Sequence, residues 1–490
     1  MTAECASPRT GPAAGTDSPD PPVRAATGRS SDAGVARSAA RIGELAWPLF
    51  IGQISVVAFA TVDTLLLGRH SSADLAALSV GAAAYITVFI GLMGVVLAIG
   101  PIVGQLYGAG HNEQAGRQFH QSIWLALALS VIGSTVLLFP APFMALAQMS
   151  PEQEARVRAY LTVLAVSLPA SLLFSAYRGF NNALSRPKAV MALQLGGLAL
   201  KIPLSALLIT GIPWLRIPAL GVVGCALATA IVMWGQALAA WVVLRRSDFY
   251  DPFHLWGRGL HPPDRQALWA QLRLGVPMGF SILIEVSGFA MMAVFIARLG
   301  TNAVAGHQIA ANLVSLMFML PMALATATST LVAQRIGARD MNDARTLVRH
   351  GIGLGVLVGA ALGGLVYLGR AGIVRLYTQD AAVIAAALPI LAWVALFHLV
   401  DATQTMAAFV LRAHRIATAP MFIFAASLWG VGLGGGYLLA FDPPAFAPAA
   451  LHGAPGYWAA STAGLALAAT LLLSLVWRIM RVQPHAAAPA

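Results

Sequence analysis

The sequence predicts an all-α membrane protein of about twelve transmembrane helices. They form two six-helix halves related by a pseudo-two-fold axis along the membrane normal. Three observations carry this. Of 490 residues, 58% are hydrophobic and only 10% charged, whereas soluble proteins hold about 25% charged residues. Apolar runs follow one another regularly, each long enough for a helix to cross a bilayer, which takes roughly 20 residues. The two halves of the chain also resemble each other at a fixed offset.

Residues 1–40 are rich in Pro, Ala, Ser and Gly, which predicts a disordered cytoplasmic tail and lacks the apolar stretch of a signal peptide. Apolar runs then fall near 44–67, 75–100, 119–147, 155–177, 189–211 and 219–244. These make a first half over 41–244. The polar segment that follows, with its Pro and charge, predicts a cytoplasmic linker over 245–268 at the membrane surface. Further runs near 270–297, 302–330, 347–369, 382–410, 418–440 and 456–478 make a second half over 269–480, with a tail at 481–490.

The net charge is +11, which in a soluble protein would suggest nucleic acid as a partner. Here Arg concentrates in alternate loops, Arg178, Arg186, Arg245, Arg246, Arg335 and Arg339 among them. That bias places those loops and both termini in the cytoplasm, and no nucleic-acid partner is expected. Cys5 and Cys225 are too few for a disulfide scaffold or a metal cluster.

Shifting the first half by 229 residues sets Pro48 on Pro277, Arg69 on Arg298, Phe89 on Phe318 and Met93 on Met322. The run VGQLYGAG at 103–110 falls on VAQRIGAR at 332–339, sharing Q-x-x-G-A in a polar loop. Six helices per repeat is an even number, so both halves keep one orientation and a cleft lies between them.

Three carboxylates stand inside predicted helices: Asp63, Glu285 and Asp401. An ionised group at the bilayer centre costs about 2.5–3.5 kcal/mol on insertion scales, so each should face a cavity or a partner. At the 229 offset Asp63 falls on Met292 and Glu285 on Val56. The repeated scaffold therefore does not itself require these acids. They are the candidates for ion coupling, by a proton held on a desolvated carboxyl or by Na⁺ between Glu285 and Asp401. Lys201 is the one intramembrane ammonium and a candidate ion-pair partner for Asp63. His398 shares a helix face with Asp401, and His307 opens the next helix after that of Glu285. Met291, Gln308, Asn312 and His398 are the candidates for lining a substrate cavity; methionines such as Met291, Met292 and Met317 suit ligands of varied shape. No nucleotide-binding G-x-x-x-x-G-K-[ST], H-E-x-x-H or G-x-S-x-G occurs, which disfavours an ATP-driven pump or a membrane hydrolase. A channel or receptor lacks an obvious filter or ligand domain.

The runs PLFIGQ, VDTLLLGR and ADLAALSVG, then PIVGQLYGAG and GVVGCALATA, resemble the multidrug and toxic compound extrusion (MATE) transporters. The strongest match is IEVSGFAMMAVFIARLGTNAVAGHQIAANLVSLMFMLPMAL, which resembles the NorM branch. This resemblance implies a V-shaped twelve-helix antiporter, not an enzyme and without a cofactor, exporting amphipathic, often cationic compounds against H⁺ or Na⁺. It carries the family's cation-site acids to Glu285 and Asp401 and its first-helix acid to Asp63. Two positions depart: Phe397 stands where the branch has Tyr, and Lys201 where it has Asn. Losing a phenol oxygen and placing a fixed cation beside Asp63 both favour H⁺ over Na⁺. The expectation is a monomeric, multi-pass protein of the bacterial inner membrane. A lipid-linked oligosaccharide flippase of the same superfamily is the alternative; it would need several basic residues in the cleft.

Overall fold

A computed structural model of the chain describes residues 31–141, 144, 149–211, 218–256, 259–444 and 448–482. Twelve helices are long and apolar enough to span a membrane, and no strand occurs among the described residues. In the first half they are α1 (Ser31–His70), α2 (Ser72–Gly108), α3 (Asn112–Leu138), α4 (Pro151–Ala183), α5 (Pro187–Thr210) and α6 (Gly221–Arg246). In the second half they are α7 (Arg265–Ala297), α8 (Thr301–Gly337), α9 (Met341–Tyr377), α10 (Ala381–Ala413), α11 (Thr418–Phe441) and α12 (Ala454–Val482).

Polar residues at the ends of the apolar runs set where several helices start. The Ser71 and Ser150 hydroxyls accept from the backbone N–H groups of Asp74 and Gln153, and Pro151 occupies the first turn of α4. Asp264, Asp340 and Asp380 cap α7, α9 and α10 in the same way. Such caps satisfy amide groups that a helix leaves free at its start.

The first helix departs from the sequence expectation. Its helical conformation begins at Ser31, inside the segment 1–40 expected to be a disordered tail. The added turns are tethered: Ser38 hydrogen-bonds His350 at 2.9 Å, and Arg41 pairs with Asp343 at 3.1 Å. Residues 1–30 and the tail at 483–490 lie outside the described residues. The linker is also more ordered than a surface strap. A short 3-10 turn, Asp248–Phe253, buries Tyr250 and Phe253 in the first-half core, and the Tyr250 hydroxyl donates to Asn181 Oδ1 at 2.6 Å.

The repeat extends to the backbone. Gly110 and Arg339 both have positive φ (76° and 58°), and they are 229 residues apart. Ser185 and Arg415, both at 58°, are 230 apart. Each ends a helix with a left-handed residue whose successor bonds back five residues, as in His111 N to Leu106 O and Ile416 N to Leu411 O, both 2.9 Å. These four turns share one end of the molecule with the linker.

Between the halves, α2 crosses α7 with almost no side chain intervening. A Cβ on Gly94 would fall 2.6 Å from Gly279 Cα, and one on Gly275 2.4 Å from the Val95 carbonyl oxygen. All hydrogen bonds and ion pairs joining the halves among the described residues lie at the linker end, Gln118 to Gln271 at 3.1 Å among them. Among the described residues none joins them at the opposite end.

Candidate functional site

The candidate site lies inside the second half, between α7 and α10. One side chain, Gln404, organises it. Its Nε2 lies 3.0 Å from Asp401 Oδ1, 3.5 Å from Glu285 Oε1 and 3.1 Å from Thr405 Oγ1. Asp401, Gln404 and Thr405 are buried, and Glu285 is half-buried. Asp401 and Gln404 stand three apart on α10, which puts them on one helix face. Glu285 reaches them from α7. Neither carboxylate forms an ion pair within 4.0 Å among the described residues, and the Gln404 Oε1 has no hydrogen-bond partner.

An amide nitrogen carries two hydrogens. Here it faces three acceptors, two of them carboxylates. One acceptor therefore lacks a hydrogen unless a carboxyl carries its own. That is a site with room for one more positive charge.

An aromatic cluster stands beside the acids, one turn from Glu285 on α7 and one turn from Asp401 on α10. Phe289 on α7 meets His307 at 5.9 Å and Trp458 at 5.9 Å between ring centroids, and Phe397 meets Trp458 at 5.3 Å. Phe397 is thus packed as a ring among rings. His398 is fully buried, and neither of its ring nitrogens has a hydrogen-bond partner. The middle of α11 widens into a π-helical stretch, Ala425–Gly434, with wider turns than a regular helix. From it the Trp429 Nε1 donates to the Ile284 carbonyl at 3.1 Å, beside Glu285.

Asp63 lies elsewhere, in the first half. Lys201 Nζ stands 2.9 Å from Asp63 Oδ1, 3.3 Å from the Cys225 carbonyl and 2.5 Å from Thr229 Oγ1. Three acceptors match the three N–H bonds of an ammonium. Both residues are buried, and Ser205 Oγ also approaches Asp63 Oδ1 at 3.5 Å.

The structure brings Glu285 and Asp401 together at Gln404, with His398 buried one turn before Asp401, and among the described residues no hydrogen bond ties Met291, Gln308 or Asn312 to them. Met291 is 41% exposed, Gln308 is exposed, and the exposed Asn312 accepts from the Tyr377 hydroxyl at 2.8 Å. Gln404, Thr405, Trp429 and Trp458 escaped the sequence reasoning. Gln404 could have been found as an uncharged polar residue one turn after Asp401 in an apolar run; Trp429 and Trp458 carry no such signal. Among the described residues no three His, Cys, Asp or Glu side chains gather to hold a metal ion.

Comparisons with known proteins agree on one family. The family model described as MatE matches residues 48–207 and 277–438, one block in each half. The chain is 38% identical over 443 residues to a probable multidrug resistance protein NorM of Aromatoleum aromaticum, covering 90% of this chain and 95% of that one. It is 36% identical over 462 residues to the corresponding protein of Chromobacterium violaceum, covering 93% and 97%. Its fold matches the crystal structure of the Vibrio cholerae MATE transporter VcmN in the bent form, with TM-score 0.80 at 19% identity, covering 92% and 98%.

Proposed function

The chain belongs to the MATE family of transporters, and from that premise we propose that it exports amphipathic, often cationic compounds in exchange for protons. The carrying observation is the Glu285–Gln404–Asp401 arrangement, in which one amide nitrogen faces two carboxylates and a hydroxyl. A proton on either carboxyl gives every acceptor a hydrogen. A Na⁺ ion would instead meet the donor side of an amide, and Phe397 offers it no oxygen.

Asp63 has a different role in this reading. The Lys201 ammonium already neutralises it, so the pair holds α1, α5 and α6 together and leaves no place there for Na⁺. The same engagement counts against a flippase of acidic headgroups, because Lys201 has no free N–H to offer.

The transport step follows from charge. With the linker end and both termini in the cytoplasm of a bacterial inner membrane, the cleft opens outward. A proton entering from outside neutralises Glu285 or Asp401. Repulsion between the two carboxylates falls, and α7 and α10 repack around Gln404. A cationic ligand held partly by those charges loses its counter-charge and leaves outward.

Purified protein in vesicles with clamped potential tests this. An imposed pH gradient should move an ethidium-like dye without Na⁺. Movement that needs a Na⁺ gradient and ignores pH would overturn the proton. No gradient-driven dye movement at all would overturn the exporter.

A further inference from the structure

The Q-x-x-G-A motif that both halves share has no part in the ion site. It lies where the halves meet, at the linker end, and each copy reaches into the other half. Gln105 Nε2 donates to the Ala413 carbonyl at 2.8 Å. Gln334 Nε2 donates to the Ala183 carbonyl at 2.7 Å and to Ser185 Oγ at 2.9 Å. Ala183 and Ala413 are the last residues of α4 and α10, the equivalent helices of the two halves. Carbonyls at a helix end have no partner within the helix, so each glutamine satisfies an oxygen that its own half leaves open.

The glycines of the motif make the contact close enough. A Cβ on Gly108 would fall 1.9 Å from the Gln334 carbonyl oxygen, and one on Gly337 1.9 Å from the Gln105 carbonyl oxygen. The two motifs therefore lie backbone against backbone, each Gly facing the other's Gln. The left-handed turns after α4 and α10, at Ser185 and Arg415, present the accepting ends.

We propose that Gln105 and Gln334 are paired gate residues of the transport cycle. Together they hold the linker end shut while the cleft stands open at the other, and all three bonds must release before the molecule opens at the linker end. The symmetry matters: tilting one half away from the other at the linker end stretches all three bonds at once, so the gate opens as a unit. The inference rests on the transport reading only for what the motion achieves.

The test reads distances without substrate or ion gradient, so a failed gate and a failed exporter are distinguishable. In the full chain, in vesicles and with Cys5 and Cys225 replaced by Ser, spin labels are placed on Gln114→Cys and Asn342→Cys at the linker end. A second pair sits on Ser72→Cys and Thr301→Cys at the opposite end. Gln105→Glu and Gln334→Glu keep size and remove the amide donor, singly and together. Each loss should raise the ratio of linker-end-open to linker-end-closed molecules roughly two- to tenfold. In the same samples the opposite-end distance should shorten. A double variant with unchanged distances overturns the gate. So does lengthening at both ends, which would mean loosened packing; the single variants, each keeping one arm, decide the matter if the double does not assemble.

Discussion

Lys201 and Asp63 form a buried ion pair, Nζ to Oδ1 at 2.9 Å, in the half of the molecule that lacks the unpaired carboxylates. Removing one partner leaves a lone buried charge, which costs roughly 3–5 kcal/mol. Lys201→Met should lower the midpoint of thermal unfolding in detergent, and adding Asp63→Asn should restore part of it. A double variant no more stable than the worse single one would show that the two charges do not depend on each other.

Glu285→Gln and Asp401→Asn should each abolish coupled efflux while leaving membrane expression intact. Each exchanges a titratable group for a neutral one of the same size beside Gln404. Dye accumulation in cells making each variant provides the measurement, and accumulation as low as in cells with the unaltered protein would contradict the assignment.

The coupling ion sets a ceiling that can be read directly. One charge falling through 100 mV yields about 2.3 kcal/mol, and each tenfold gradient needs about 1.4 kcal/mol. A potential of roughly 180 mV could thus sustain about a thousand-fold gradient of a neutral compound per proton. For a monovalent cation exchanged one for one the electrical contributions cancel. Collapsing the pH difference should then stop dye export, and collapsing the potential alone should not; the reverse pattern would rule out one-for-one exchange.

His414 lies outside the membrane spans, in the turn after α10. Burial pushes its imidazole below the usual histidine range, partly opposed by its hydrogen bond to the Val410 carbonyl at 3.0 Å. The unfolded chain therefore takes up this proton first as pH falls. The stability that goes with the neutral ring is present above the ordinary histidine pKa of about 6.5 and is lost below it. His414→Gln should reduce the fall in unfolding temperature between pH 7 and pH 5; an unchanged fall would assign the acid sensitivity to other groups.

Much of the helix layout was legible because a bilayer demands long apolar runs, and polar residues such as Ser150 and Asp264 mark where several of them start. Glu285 and Asp401 were legible because an acid in such a run needs a reason. The start of α1 at Ser31 was not, since its outer turns are fastened by Asp343 and His350, some three hundred residues away. Gln404 was hidden for another reason: an uncharged amide costs less in the membrane, and only the position of Glu285 across from it gives it a task. Ser185, Arg339 and Arg415 hold backbone shapes that glycine normally signals, and only Gly110 among the four announced itself.

The crossing of α2 and α7 at Gly94, Gly275 and Gly279 bears on how the halves can move. Most packed helices interlock, and changing their angle means lifting side chains out of grooves. Here bare backbone rides on bare backbone, so the angle can change with few side chains to dislodge. The contact has the properties of a pivot: close enough to keep the halves from drifting apart, smooth enough to let them tilt. A large side chain at Gly279 would act as a wedge, fixing the molecule at one tilt while leaving its ion site untouched.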